Sequence, residues 1–266
     1  MWNDEITLLN KYVHICRLGA GQFGTVYKSL SLKNQSYYAV KIGSSNTLKH
    51  ESTILHYLFT RNPLLHVPQL IWYGVHPKLN ACMIMTYYEG GSLLDCKATM
   101  TEQEKIQWWN DMLSLVKHLH SLEIIHRDIK PSHFMRNQRN QWFLIDFGLA
   151  TVLSLKKEPT DSIVGSTNYT SYYVHDGWKN NARDDLLSLL YVFWELVRDD
   201  FPCTCEVSDW ESDFDSIKNY SPEHILHPYN QWAKKKKEKT YLLSLLEKKT
   251  ETLFSSYLKE FLLSCN

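Results

Sequence analysis

From residue 12 to residue 42, apolar and polar positions alternate, with a cluster of glycines between them. A period of two with glycine punctuation predicts strands joined by a tight turn. Over residues 48–58 the period lengthens, and Ile54, Leu55 and Leu58 recur at the spacing of one helix face. Residues 81–87 form a short apolar run that reads as a buried strand, and Glu89-Gly90-Gly91-Ser92 breaks it as a connector. A long helical pattern opens after Thr101 and runs through His120, with Thr101 as N-cap and Glu104 completing a capping box. Strand-like pieces follow near Phe134 and at 143–145, and the chain turns helical again from Asp184. Its longest apolar run, 186–197, carries Glu195, is too short to span a bilayer, and reads as a buried core helix. At 240–264, Leu242, Leu245, Leu246, Leu253, Leu258 and Leu262 suggest a closing amphipathic helix. The order is a strand-rich first third, a short connector and a mostly helical remainder, which is an α+β class with no internal repeat.

Composition narrows the field. The 266 residues carry a formal net charge of zero, so no electrostatic footprint for direct nucleic-acid binding is present. Cys16, Cys82, Cys96, Cys203, Cys205 and Cys265 form no C-x-x-C pair and read as reduced thiols of a cytosolic protein. The opening Met-Trp-Asn-Asp-Glu lacks the basic start and apolar stretch of a signal peptide, so a cytoplasmic protein without a membrane anchor is expected. Lys234, Lys235, Lys236 and Lys237 form a run that serves either as a solvated face or as a nuclear-import or acidic-partner patch, which leaves the nucleus open.

Three motifs bring chemistry. Gly19-Ala20-Gly21-Gln22-Phe23-Gly24-Thr25-Val26 gives a turn whose backbone N–H groups can face phosphate oxygens. A dinucleotide site would need a helix directly after the glycines, whereas the alternation after Val26 continues as a strand. Tyr38-Ala39-Val40-Lys41 places a lysine at the end of an apolar strand, where it can meet α- and β-phosphates if a carboxylate holds it; Glu51 on the next helix is the candidate. His126-Arg127-Asp128-Ile129-Lys130-Pro131 is followed, 18 residues after Asp128, by Asp146-Phe147-Gly148. Phosphoryl transfer needs a carboxylate to orient the attacking hydroxyl, met by Asp128, and an oxygen ligand for Mg²⁺, met by Asp146. Lys130 can neutralise charge on the transferred group.

Together these motifs resemble the protein kinase superfamily over nearly the whole chain. The resemblance implies a bilobal fold in one domain, 1–266. A strand-rich N-lobe covers about 1–86, a hinge about 86–91 and a mostly helical C-lobe about 92–266, with ATP bound between the lobes. Lys130 is similar to the serine/threonine branch, so protein substrates with Ser or Thr are implied, acted on by a monomer. Gly165-Ser166-Thr167-Asn168-Tyr169-Thr170-Ser171, the Ser-x-x-x-His-x-Gly pattern ending at Gly177, and Arg183-Asp184-Asp185 resemble casein kinase 1 and the vaccinia-related kinases. Asp185 would then anchor the catalytic-loop backbone. The implied ATP contacts are Gly19, Ala20, Gly21, Gln22, Phe23, Gly24, Val26 and Lys41, with Ala39 and Met135 sandwiching adenine. Met85 is the gatekeeper, residues 86–88 (Thr86 and Tyr88 among them) form the hinge, and Asp146 completes the set. Asp146 and His133 are the implied metal ligands.

The chain departs from this family at three places. His133 stands where an asparagine would offer a carbonyl oxygen to a second Mg²⁺, and imidazole suits softer metals. Three outcomes follow: weakened activity, a shift toward Mn²⁺, or a pseudokinase that binds nucleotide and signals by shape. The otherwise complete template favours an enzyme, and a neutral His133 ring on the metal would make activity fall as that ring protonates. Secondly, the arginine pair that reads primed substrates in casein kinase 1 is reduced here to Ala182 and Arg183, with Lys156 and Lys157 as possible substitutes, so a weaker preference for primed sites is expected. Thirdly, the interval from Lys41 to Glu51 is short, and the neighbouring Lys49 and His50 read as surface residues. As for regulation, Arg127 either receives a phosphate from Thr160 or Ser162 or serves structurally, and the structural role is favoured. A small-molecule kinase on this fold is the remaining alternative.

Overall fold

The computed structural model describes residues 7–8, 11–21, 23–76, 80–153, 164–175 and 178–198. Gln22, Lys156, Lys157, Thr160, Ser162, Gly177, the last three cysteines, the lysine run at 234–237 and the expected helix at 240–264 lie outside the described residues. The chain forms two compact units. One comprises residues 1–95 with 132–150, and the other 96–131 with the chain from 151 onward.

The first unit is built on a six-stranded antiparallel sheet. Its strands are β1 (Thr7–Leu8), β2 (Tyr12–Gly21), β3 (Gly24–Ser31), β4 (Tyr37–Gly43), β5 (Leu70–His76) and β6 (Asn80–Thr86), in the order β1-β2-β3-β4-β6-β5. Register partners on neighbouring strands share a sheet face. Val40 opposite Ile84, with Cys82, forms a buried cluster under Tyr12, Tyr38, Ile42 and Trp72. The other face carries Ala39 opposite Met85 and Lys41 opposite Met83. Helix α1 (Ser45–Arg61) begins where the Ser44 hydroxyl accepts the Thr47 N–H, and it buries Leu48, Glu51, Ile54, Leu55 and Leu58. The expected strands, helix and connector are all present.

β5 has no counterpart in the sequence reading. It is an edge strand, apolar on both faces with Ile71 and Val75 exposed, and its register slips between Leu70 and Trp72. A bulge of this kind erases the period of two. A Cβ on Gly74 would lie 2.4 Å from the Trp72 ring, so a larger residue there would have to displace that ring.

After β6 the connector turns through Gly91 and short helix α2 (Leu93–Cys96). The hairpin β8 (Phe134–Arg136) and β9 (Trp142–Leu144) belongs to this same unit. Gly90 N–H donates to Arg136 O at 2.8 Å and Arg136 N–H to Gly91 O at 2.9 Å, so the connector is stitched to β8. Phe143 stacks between His66 and Tyr88 at 4.9 and 4.4 Å.

The second unit is helical. α3 (Glu102–Ser121) starts with the expected reciprocal capping box: Glu104 N–H donates to Thr101 Oγ1 at 3.2 Å, and Thr101 N–H to Glu104 Oε2 at 2.7 Å. It buries Trp108, Trp109, Met112 and Val116 and packs on α5 (Ala182–Arg198), where Trp109 meets Phe193 at 4.7 Å. β7 (Ile124–Ile125) pairs antiparallel with β10 (Thr151–Val152), and α4 (Tyr172–His175) precedes α5. Glu195 sits buried within the apolar run of α5, and a buried carboxylate needs partners. It accepts from Lys97 Nζ at 2.8 Å and the Tyr169 hydroxyl at 2.7 Å. Among the described residues no helix is long and apolar enough to cross a membrane.

Candidate active site

The candidate residues fall into two groups, one in each unit. In the first unit, Gly19, Ala20 and Gly21 end β2, Phe23 lies in the turn, and Gly24 and Val26 open the return strand β3. A Cβ at Gly19 or Gly21 would meet nothing within 4 Å, so these two glycines border open space of the sort a phosphate chain fills. Gly24 has a different reason to be glycine. Its φ is +129°, and a Cβ there would lie 2.3 Å from Ile42 O.

Lys41 is buried on β4 and donates to Glu51 Oε2 at 2.7 Å and to Asp146 Oδ1 at 2.8 Å. Burial opposes its charge, but the two carboxylates outweigh burial and hold the ammonium above its ordinary pKa. Full burial pushes the Glu51 carboxyl up, against the pull of Lys41 and of the Phe147 N–H, and the like charge of Asp146 adds to the rise. With all three ionised, the cluster carries one excess negative charge. Asp146 is the member with access to solvent, its side chain being 27% exposed. It adopts a left-handed φ of 63°, which aspartate tolerates better than most residues. His133, nearly buried, brings Nε2 to 3.5 Å from Asp146 Oδ2.

Ala39 and Met85 face each other across β4 and β6, and Met135 sits on β8, bridged to Ser92. Thr86 uses its N–H on Gln69 O at 3.1 Å, and its hydroxyl accepts the Gln69 N–H at 3.2 Å. Tyr88 turns its ring inward, its hydroxyl donating to Val67 O at 3.3 Å, and burial pushes that hydroxyl's pKa up.

The second unit holds Asp128 and Lys130. Asp128 Oδ2 accepts from Lys130 Nζ at 2.8 Å, and Oδ1 accepts the Ser166 N–H at 2.7 Å. Lys130 Nζ also donates to Ser166 Oγ at 2.8 Å, which closes a three-residue ring. Beneath it, Asp185 accepts the N–H groups of His126 and Arg127 at 2.7 and 2.8 Å, and His120 Nε2 lies at 3.0 Å. Asp185 thus anchors the loop backbone as expected. The anchor holds Arg127 at φ 68°, and a Cβ on Gly165 would lie 2.3 Å from the Arg127 carbonyl. Half burial holds the Arg127 guanidinium below its ordinary pKa, against the opposing charge of Asp185.

The sequence matches the family model described as Protein kinase domain over residues 12–265. The chain belongs to the protein kinase family. Protein kinases use ATP and a divalent metal, and the first group suits both. The open cradle at Gly19 and Gly21 fits phosphates. The excess negative charge and solvent access of Asp146 fit a cation, for which Asp146 is the hard oxygen ligand. His133 adds a nitrogen donor; among the described residues no three or more His, Cys, Asp or Glu side chains converge so as to hold a metal ion. Two contacts of these groups escaped the sequence reading. Ser166 served there only as a subgroup marker, whereas it contacts both Asp128 and Lys130. His50 read as a surface residue; it is exposed, yet Nε2 lies 2.7 Å from Ala150 O.

Proposed function

We propose that this protein kinase transfers the γ-phosphoryl group of ATP to Ser or Thr hydroxyls of protein substrates, acting as one casein kinase 1-like domain over residues 1–266. The observation that carries this reading is that each of the two carboxylates the reaction needs is intact and paired with its own lysine, Asp146 with Lys41 and Asp128 with Lys130. Asp128 takes the hydrogen bond of the substrate hydroxyl and accepts its proton as that oxygen forms a bond to the γ-phosphorus and the bond to the departing ADP oxygen breaks. Lys130 balances charge on the group in transit. Lys41, held by Glu51, grips the α- and β-phosphates while the backbone of Gly19, Ala20 and Gly21 cradles them. Asp146, with His133, would hold the metal, which neutralises phosphate charge when bound. The adenine ring lies against Ala39, Met85 and Met135.

One contact supports the subgroup. Ser171, from the Ser-x-x-x-His-x-Gly pattern, is fully buried and hydrogen-bonds Asp184 of the Asp-Asp pair, so the two sequence marks of the subgroup meet in one place. Arg183 lies 3.3 Å from the Tyr173 ring centroid and bonds Asp184 at 3.3 Å. That engagement supports a weak preference for primed substrates. The second reading, a nucleotide-binding pseudokinase, is favoured by one observation, the imidazole of His133 beside Asp146. Phosphate transfer from labelled ATP to casein and to the protein itself, with Mg²⁺ and with Mn²⁺ beside an Asp128→Asn control, separates the two. Transfer that disappears in the control supports the enzyme. Nucleotide-induced thermal stabilisation without transfer under either metal supports the pseudokinase.

A further inference from the structure

The residues Phe147–Leu149 form one turn of 3₁₀ helix directly after Asp146, closed by Ala150 N–H donating to Phe147 O at 3.1 Å. Such a turn leaves N–H groups unpaired at its start and carbonyls unpaired at its end. α1 supplies a partner for each end from two consecutive residues. At the start, the Phe147 N–H favours the charged form of Glu51, and His50 reaches Ala150 O at 2.7 Å just past the end. A carbonyl only accepts, so Nε2 of His50 carries the proton and donates. The polarity is the favourable one, with a carboxylate at the N-terminal end and a donor at the C-terminal end. The turn has little slack of its own: a Cβ on Gly148 would already lie 3.3 Å from Asp146 Oδ1 and from the Phe23 ring. Asp146 holds its left-handed backbone at the entrance to this clasped turn.

We infer that His50 is a positioning residue: by tying the far end of the turn to α1, it fixes where Asp146 presents its carboxylate. The inference rests on the proposed role of Asp146 as metal ligand. Glu51 fixes the near end, and Lys41 fixes Asp146 itself. His50 adds a point at the far end of the turn.

The test uses the full chain as wild type, His50→Ala, His50→Gln and, as a neighbouring exposed control, Lys49→Ala. Alanine is the better helix former, so His50→Ala does not weaken α1 by propensity. Amide hydrogen exchange, without nucleotide, should quicken over residues 146–151 in His50→Ala alone. Affinity for Mn²⁺ in the presence of ADP, read by electron paramagnetic resonance, should fall about fivefold, the equivalent of one neutral hydrogen bond. His50→Gln, whose amide can donate to the same carbonyl, should restore both readings. Unchanged exchange and affinity in His50→Ala would overturn the inference. So would faster exchange throughout the chain, or a His50→Gln protein that behaves like His50→Ala. If wild type binds no Mn²⁺ with ADP while local exchange still quickens in His50→Ala and recovers in His50→Gln, the clasp stands and the metal role of Asp146 falls.

Discussion

Replacing Asp185 with asparagine should cost this protein about 2–4 kcal/mol of stability. The side chain of Asp185 is 3% exposed and faces three donors: the N–H groups of His126 and Arg127, and His120 Nε2. A carboxylate offers acceptors to all of them, whereas an amide turns one of its two positions into a donor. That NH₂ must then point at a backbone N–H or at His120. One charge-assisted hydrogen bond, worth about 1.5–3 kcal/mol, is lost, and a buried N–H goes unsatisfied for about 1–3 kcal/mol more. The relief of a buried charge offsets part of the sum. Urea unfolding of wild type and variant, compared at equal m-value, reads the difference. A loss below about 0.5 kcal/mol would refute the reasoning, because it would mean that the loop backbone holds its shape without the carboxylate. The pH dependence gives a second check. Burial alone would raise the Asp185 carboxyl, but the His120 hydrogen bond and the charges and N–H groups around it win, and its folded pKa lies below the ordinary value. A depressed folded pKa contributes stability above the unfolded pKa, about 3.9, and loses it as pH falls through the folded value. The gap between wild type and Asp185→Asn should therefore be constant near neutrality and shrink only below about pH 4.

Gly24→Ala should destabilise the fold by at least about 2 kcal/mol, whereas Gly19→Ala should stay within about 0.5 kcal/mol. If both variants lost the same stability, the distinction drawn from their surroundings would be wrong; weaker nucleotide-induced stabilisation in Gly19→Ala alone would point to the phosphate cradle. Cys82 is buried, with its thiol pushed up to about 12, so it should resist iodoacetamide at pH 8 in the native protein while the exposed Cys16 reacts. Peptide mass mapping checks this, and native labelling of Cys82 would contradict its burial. Thr101→Ala should cost about 1 kcal/mol through loss of the α3 cap, and Thr101→Asp should retain most of it, as thermal unfolding would show.

Much of the first sheet was legible because its strands keep a clean alternation, and α1 and α3 because caps and apolar spacing agree. Lys41 was legible for another reason, since a lysine that ends an apolar strand has few explanations; Glu51 was read as its partner on the next helix, and Asp128 and Asp146 from their motifs and spacing. β5 was hidden by its bulge and its apolar outer face. Ser166 was hidden because a serine in a loop carries no pattern; only the fold brings its N–H to Asp128. His50 was missed because exposure and bonding are separate properties, and residue type on a helix surface reports only the first. Thr86 and Tyr88 were assigned by resemblance. Register then put the Thr86 N–H and hydroxyl on Gln69, a pairing that no local pattern announces.

The first unit is not a continuous stretch of chain. Residues 132–150 complete it, after 96–131 have gone to the other unit. During synthesis, the strands up to β6 therefore emerge without β8, β9 or Asp146, and Lys41 has only one of its two carboxylates. At about 5–20 residues per second, the ribosome needs roughly three to eleven seconds to travel from residue 95 to residue 150. For that interval all six strands of the sheet have been made, but the Gly90–Gly91 connector and the His66 carbonyl, which accepts the Leu144 N–H at 3.1 Å, wait for partners not yet made. A fragment ending at residue 95 would be held at that stage permanently, so the boundary that looks simplest in the sequence is a poor place to cut.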